Sequence, residues 1–141
     1  VEAGQRVKAA GIKLSVTVLL GVAGVERSTL HAQKTAKLLT EIQPDFVGAL
    51  TLMVIPEAPL YPMVEQGNFI LPSPFDLLQE LRIMLAESDL NHCLFFSNHA
   101  SNYLPIRARL PKDKASSLQL IDEVLASGST SLLKPEHLRA L

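Results

Sequence analysis

The sequence predicts an α/β fold with parallel strands, and two observations support this. Short apolar runs rich in β-branched residues, at residues 14–20, 46–55 and 93–96, alternate with amphipathic segments of helical period. The first two runs lead directly into loops shaped by glycine or proline, as buried parallel strands do where their carboxyl ends reach a ligand site. Right-handed crossovers are therefore expected between neighbouring strands.

Length and composition indicate one globular domain. The chain has 141 residues, 48% of them hydrophobic and 19% charged, which is enough to bury a core. Its net charge is −1 with no basic stripe, so nucleic acid is not an expected partner. No apolar run reaches the roughly 18 residues of a membrane span. The single cysteine, Cys93, rules out an internal disulfide, and the reducing cytoplasm is the expected location.

The first three elements can be assigned from local patterns. A helix is predicted over residues 1–10, ending at Gly11. Because the chain enters this helix partway and does not begin with methionine, it is expected to be an excerpt of a longer protein. The nearly continuous apolar run at residues 14–20 predicts a strand covered on both faces. A second helix is predicted to begin near Ser28, a good N-cap residue, and to end before Pro44.

The second half continues the alternation. A strand over residues 46–55 is followed by a proline-rich loop over residues 56–72, long enough to be functional. Ser73 is then predicted to cap a helix that has Pro74 at its first position. The remaining predicted elements are a strand at residues 93–96, a polar turn at 97–103, a helix at 112–126 and one helical turn after residue 135.

Two loops are candidates for ligand binding. In the first, Gly21 and Gly24 would let backbone amides approach a ligand, and the following helix N-terminus favours a negative group. The loop lacks the glycine pattern of a phosphate loop or a dinucleotide fingerprint, and a simple chain turn is an equal alternative. In the second, prolines stiffen residues 55–61 around Tyr61, or they merely terminate the preceding strand.

The polar turn at residues 97–103 is the third candidate. It carries five hydrogen-bonding side chains beside an apolar strand, and His99 could serve as an acid–base group near neutral pH. A capped turn is the alternative, favoured for Asn98 and Asn102, while the role of His99 stays open. Cys93 is expected to be a buried, inert thiol, and His31 a solvated helix residue.

Four segments together resemble a known family: AGIKLSVTVLLGVAG, HAQKTAKLL, PDFVGALTLMVIPEAPLYPMVEQGNF and SNHASNYLP. They resemble the carboxyl-terminal half of radical S-adenosylmethionine (radical SAM) iron–sulfur oxidoreductases, and the resemblance covers essentially the whole chain. It implies a partial β/α, TIM-like barrel with about three parallel strands and flanking helices. Residues 1–72 would form two β/α units and a loop, and residues 73–141 a helix–strand–helix extension of the same domain.

The resemblance also implies a cofactor. In that family three cysteines hold a four-iron, four-sulfur (4Fe-4S) cluster, and later strands seat the adenine of S-adenosylmethionine. The corresponding contacts here would be Leu20, Gly21, Gly24, Ile55 and Pro56. Because the cysteine loop is absent, the parent protein is expected to be a radical enzyme and this chain alone to be inactive.

Two further expectations concern partners. A partial barrel keeps an apolar inner face and unpaired strand edges, so the chain could form a homodimer through those edges. The alternative to a radical-enzyme fragment is a non-catalytic α/β module that binds a small molecule, such as an adenosyl compound, or docks a partner protein. The substrate is not predicted.

Overall fold

The computed structural model describes residues 1–140 of the chain. The helices are α1 (Glu2–Ala9), α2 (Gly24–Ile42), α3 (Tyr61–Glu65), α4 (Pro74–Glu87) and α5 (Lys114–Ser127). The strands are β1 (Ser15–Leu20), β2 (Phe46–Thr51), β3 (Cys93–Phe96) and β4 (Arg107–Leu110). Two short 3₁₀ turns follow, at Thr130–Leu132 and Glu136–Leu138. None of the helices in this part of the chain is long and apolar enough to cross a membrane.

The four strands form one sheet in the order β1-β2-β3-β4. The pairs β1–β2 and β2–β3 are parallel, so the predicted α/β class and the three predicted parallel strands are confirmed. β4 runs antiparallel to β3 and was not predicted. Only four residues of β4 alternate, and two of them are arginines, so its pattern is too short and too polar to stand out.

One face of the sheet carries all the packing helices. The crossover helices α2 and α4 pack against each other, and α5 packs against α4, so the three helices share one side. The strand residues beneath them are Val16, Val18, Leu20, Val47, Ala49, Cys93, Phe95, Ala108 and Leu110. The fully buried helix residues above them include Ala32, Leu39, Met84, Leu85 and Ile121. The core is therefore a single layer between sheet and helices.

The other face of the sheet, here called the open face, has no helix over it in the described part of the chain. Its residues are all half-buried or exposed. They are Ser15, Thr17 and Leu19 on β1, Phe46, Gly48 and Leu50 on β2, Leu94 and Phe96 on β3, and Arg107 and Arg109 on β4. The prediction that the first strand is covered on both faces is therefore wrong, because the helices cover only one side.

Several predicted boundaries shift. α2 begins at Gly24, four residues before Ser28. The Ile70 carbonyl accepts a hydrogen bond from the Val25 amide (3.1 Å) and so acts in place of a side-chain cap. β2 ends at Thr51, before residues 52–55, and the predicted loop over residues 56–72 contains the short helix α3.

The start of α4 is as predicted. The Ser73 hydroxyl accepts from the Asp76 amide (3.2 Å), and the Asp76 carboxylate accepts from the Ser73 amide (2.9 Å), which completes a capping box. Pro74 occupies the first helical position, where its missing N–H costs nothing. This fixes the register of the helix that supplies much of the core.

The single-layer core predicts how much the free energy of unfolding falls when a core side chain is truncated. Met84 is 0% exposed, so Met84→Ala removes buried apolar contacts and leaves a cavity. We expect the free energy of unfolding, measured by urea denaturation, to fall by about 2–5 kcal/mol. The matched control is Met63→Ala on α3, where the side chain is 44% exposed. There the change should stay within about 0.5 kcal/mol, and equal losses in the two variants would contradict this account of the core.

Candidate functional site

The candidate site lies at the carboxyl ends of β1 and β2. Three connections meet there: residues 21–24 after β1, residues 52–72 after β2 and residues 97–103 after β3. The tail at residues 133–139 packs across the same edge, where the Lys134 amide donates to the Tyr103 carbonyl (2.8 Å). Loops after parallel strands are the usual place for ligands in α/β folds.

A buried carboxylate, Glu80 on α4, organises the first loop. Its side chain is fully buried and accepts hydrogen bonds from the Gly21 amide (3.1 Å), the Ser28 hydroxyl (2.5 Å) and His31 Nδ1 (2.8 Å). Ser28 is therefore not an N-cap, and His31 is not simply a solvated helix residue as predicted. A buried carboxylate with three donors is well compensated and holds β1, α2 and α4 together.

This cluster is not a catalytic relay. Ser28 and His31 both contact the same carboxylate, and within residues 1–140 no hydrogen bond joins one to the other. A nucleophilic serine needs the imidazole as its direct partner. Glu80 is thus a positioning group for the loop after β1. It was missed because a glutamate on an amphipathic helix usually faces solvent.

The two glycines of the first loop are explained by packing. Gly21 has φ +82°, and a Cβ there would lie 2.9 Å from the Leu77 side chain. Gly24 has φ +69°, and a Cβ there would lie 3.3 Å from the Ile70 carbonyl oxygen. The positive φ angles and these close contacts both require glycine without any ligand. The amide of Gly21 is also already bonded to Glu80.

A cleft opens beside this loop. It has a volume of about 390 Å³ and is lined by residues 22–27 at the start of α2 together with Met63 and residues 67–70. Gly24 is the one predicted cofactor-binding residue in its wall. Glu26 and Arg27 are exposed at the same place. The cleft is therefore lined by backbone at the N-terminus of α2, by one acidic and one basic side chain, and by apolar side chains.

The other predicted cofactor residues are spread along the edge. Leu20 is 2% exposed and lies in the core, beneath the loop. Gly21 lines a second, smaller pocket of about 190 Å³. Ile55 is 40% exposed and Pro56 is exposed, and neither lines the cleft or the smaller pocket. The five residues thus share one edge of the sheet, but they do not form one wall.

Beyond the end of β3, side chains of the polar turn at residues 97–103 make hydrogen bonds to β2 in place of backbone pairing between the two strands. Asn102 donates to the Ala49 carbonyl (2.8 Å) and accepts from the Thr51 hydroxyl (2.8 Å). The Thr51 amide donates to the Ser101 hydroxyl (3.1 Å). These bonds give Asn102 the structural role that the sequence favoured, whereas Asn98 is exposed.

His99 is held by its own turn. Its ring is exposed, and Nδ1 accepts from the Ser101 amide (3.2 Å) and lies 2.9 Å from the Ser101 hydroxyl. An Nδ1 that accepts a backbone proton leaves Nε2 as the nitrogen available to a ligand. The arrangement is compatible with an acid–base role and also with a purely structural one.

Arg139 in the tail is a site residue that no feature of the sequence indicates. Its side chain is 5% exposed and lies over the Tyr103 ring, 4.1 Å from the centroid. It donates to the Ser101 carbonyl (2.7 Å) and to the Glu136 carboxylate (2.7 Å). Burial, together with the hydrogen bond to Glu136, raises the pKa of Tyr103 to about 12, so its hydroxyl stays protonated in the smaller pocket.

The described residues do not fit an iron–sulfur cluster or another metal centre. No group of three or more His, Cys, Asp or Glu side chains that could hold a metal ion occurs among residues 1–140. Cys93 is 1% exposed on the helix-covered face of β3, and burial raises the pKa of its thiol to about 11. The expected burial of this thiol is therefore confirmed.

Comparison with protein-family models, with curated proteins and with solved structures finds no match to this chain. The assignment of a function therefore rests on the geometry and on the sequence.

The role of Glu80 can be tested with an amide. Glu80→Gln keeps the shape of the side chain but replaces one carboxylate oxygen with an NH₂ group. That group is a donor, and it faces the donors of Gly21, Ser28 and His31. We expect a loss of about 1–3 kcal/mol in the free energy of unfolding and faster hydrogen exchange at the Gly21 amide. The control is Glu87→Gln on the same helix, which is exposed and should change neither quantity. Unchanged exchange at Gly21 in E80Q would contradict the proposed anchoring.

The state of Cys93 gives a chemical test. At about pH 8, a thiol with a strongly raised pKa and no access to solvent should not react with Ellman's reagent in the folded protein. In concentrated urea it should react with one equivalent of reagent. Rapid reaction in the folded state, at the rate seen in urea, would show that β3 does not lie in the core as described.

Proposed function

We propose that this chain is the carboxyl-terminal part of a radical SAM iron–sulfur oxidoreductase, as the resemblance of its four segments implies. It would supply the last strands of a partial TIM-like barrel and the adenine-side contacts for S-adenosylmethionine. The observation that carries the proposal is the one-sided sheet, in which successive parallel strands are neighbours and all the crossovers share one face.

This topology supports a barrel rather than a doubly wound sheet. In a doubly wound sheet the crossover helices occupy both faces, whereas in a β/α barrel they all lie outside and the inner face carries none. β1, β2 and β3 follow the barrel pattern, with α2 and α4 outside. The antiparallel β4 ends the repeat. In this proposal the open face is the inner wall of the barrel.

The adenosyl contacts would lie at the carboxyl edge. Leu20 would support the loop from below, and Gly21 and Gly24 would hold it in the left-handed conformation that opens the cleft. Ile55, exposed and apolar, would pack against the adenine ring, next to the rigid Pro56. His99 would be the candidate acid–base group at this edge. Glu80 would keep the loop in place whether or not a ligand is bound.

The chain alone would be inactive in radical chemistry. When bound, a 4Fe-4S cluster supplies the electron that cleaves S-adenosylmethionine, and the described residues offer no ligand set for it. This chain's residues would therefore bind and orient the adenosyl group and exclude water around it. The cluster ligands would have to come from another part of a longer protein.

The second candidate is a non-catalytic module that binds an adenosyl compound. It is favoured by one observation, namely that neither the cleft nor the smaller pocket has an open-face residue in its lining. Binding in these pockets would therefore not require the inner wall of a barrel.

Both candidates predict binding of S-adenosylmethionine. In ¹⁵N-labelled protein we expect shifts of the amide signals of Gly21, Gly24 and Ile55 upon its addition, and no shifts with methionine alone. Ile55→Ser should weaken the affinity about fivefold, because an exposed apolar contact is lost. The control Ile12→Ser, at a side chain that is 58% exposed and precedes β1, at the opposite end of that strand from the loops, should bind normally. An absence of shifts would overturn the adenosyl assignment.

The coding sequence in front of Val1 separates the two candidates. A radical enzyme requires an upstream Cys-x-x-x-Cys-x-x-Cys segment in the same reading frame, and anaerobic reconstitution of the longer protein with iron and sulfide should yield a cluster. If such a segment is missing, the radical assignment fails and the adenosyl-binding module remains.

A further inference from the structure

The open face has an unusual distribution of charge. Among its residues only Arg107 and Arg109 are charged, and both lie on the edge strand β4. Arg109 is paired with Asp113 (3.1 Å), which neutralises it. Arg107 has neither a hydrogen bond nor an ion pair with any side chain of residues 1–140. The face therefore presents one uncompensated positive charge beside an apolar surface.

The position of Arg107 is set by an aromatic ring. Its guanidinium lies over the Phe96 ring of the neighbouring strand, 5.5 Å from the centroid. This cation–π contact keeps the charge close to the sheet, where an anion bound to it would also touch apolar surface. A guanidinium also offers planar, paired donors that match a carboxylate, sulfonate or phosphate group.

A gap lies beside this ring. Gly48 is at the centre of β2, paired with Thr17 on one side and Phe96 on the other. A Cβ at Gly48 would have only Leu50 near it, at 4.0 Å, so the space above this residue is open. Glycine weakens a strand interior and often marks a close approach by another group. Its φ is not in the left-handed region, so the backbone does not require glycine there.

The register places these features in one row across the sheet: Gly48 on β2, Phe96 on β3 and Arg107 on β4. Strands are about 4.8 Å apart, so the row from Gly48 to Arg107 spans about 10 Å. A flat two-ring molecule with an acidic substituent has this length. Its rings would cover the gap and the edge of Phe96, and its acidic group would reach Arg107.

We propose that the open face of the sheet binds a planar aromatic anion, with its rings over Gly48 and its acidic group paired with Arg107. This goes beyond the proposed function, which concerns the strand ends, and it does not depend on it. If the barrel proposal also holds, the anion lies on the inner wall, where a substrate would be found.

The probe is 1-anilinonaphthalene-8-sulfonate, whose fluorescence rises on apolar surfaces. We expect saturable binding to the native chain. Arg107→Gln should weaken it about tenfold, because a charge-assisted pair is lost. N-phenyl-1-naphthylamine, which lacks the sulfonate, should bind more weakly and be indifferent to R107Q. Gly48→Val fills the gap with a residue that favours strands, so it should fold and weaken both dyes.

The matched control is Arg6→Gln, an exposed arginine on α1, the helix that contacts α2, and this variant should bind the sulfonate like the unaltered protein. Wild-type affinity in R107Q or in a folded G48V would overturn the proposal. So would a dimer, seen by light scattering, that binds no dye, because a second copy would then occupy the face. S-adenosylmethionine titrations of R107Q report on the strand ends alone, so the two proposals can fail separately.

Discussion

The structure depends on one constraint: every helix that crosses between parallel strands lies on the same side of the sheet. Right-handed crossovers between neighbouring strands impose this as long as the strand order does not reverse. Small residues allow close packing on this side, since Ala32 and Ala36 are fully buried on α2, the helix that packs against α4. The same constraint leaves the opposite face uncovered and brings the loops after β1, β2 and β3 side by side. Core, open face and candidate site are thus consequences of a single topology.

The carboxyl edge is held by polar side chains that bond to backbone far away in sequence. Glu80 accepts from the Gly21 amide, Asn102 donates to the Ala49 carbonyl, and Arg139 donates to the Ser101 carbonyl. Every buried side-chain nitrogen and oxygen in the described part of the chain has a hydrogen-bond partner. Because such groups are costly when unpaired, the loops have little freedom to rearrange. A ligand at this edge would meet a surface that is already organised.

The sequence predicted the elements whose signals are local. The apolar runs of β1 and β3 and the cap at Ser73 follow from side chains near one another in the chain. The predictions that failed concern residues whose partners are distant in sequence. Ser28 has the composition of an N-cap, but its hydroxyl is bonded to Glu80, 52 positions away. The cleft and the contacts of Arg139 could not be predicted either, because they form only when the loops and the tail have packed in the folded chain. The sequence indicates which residue types could form a site, but it does not show which residues they contact.

The glycine loop shows how the structure changes the meaning of a motif. Because Gly21 and Gly24 are required by Leu77 and the Ile70 carbonyl, they are not by themselves a sign of ligand binding. Their effect is indirect, since the turn they form directs the start of α2 into the cleft. The open-face row at Gly48 lies three residues below the end of β2, which is about 10 Å along the strand. The strand-end site and the open-face row are therefore separate places on the same sheet.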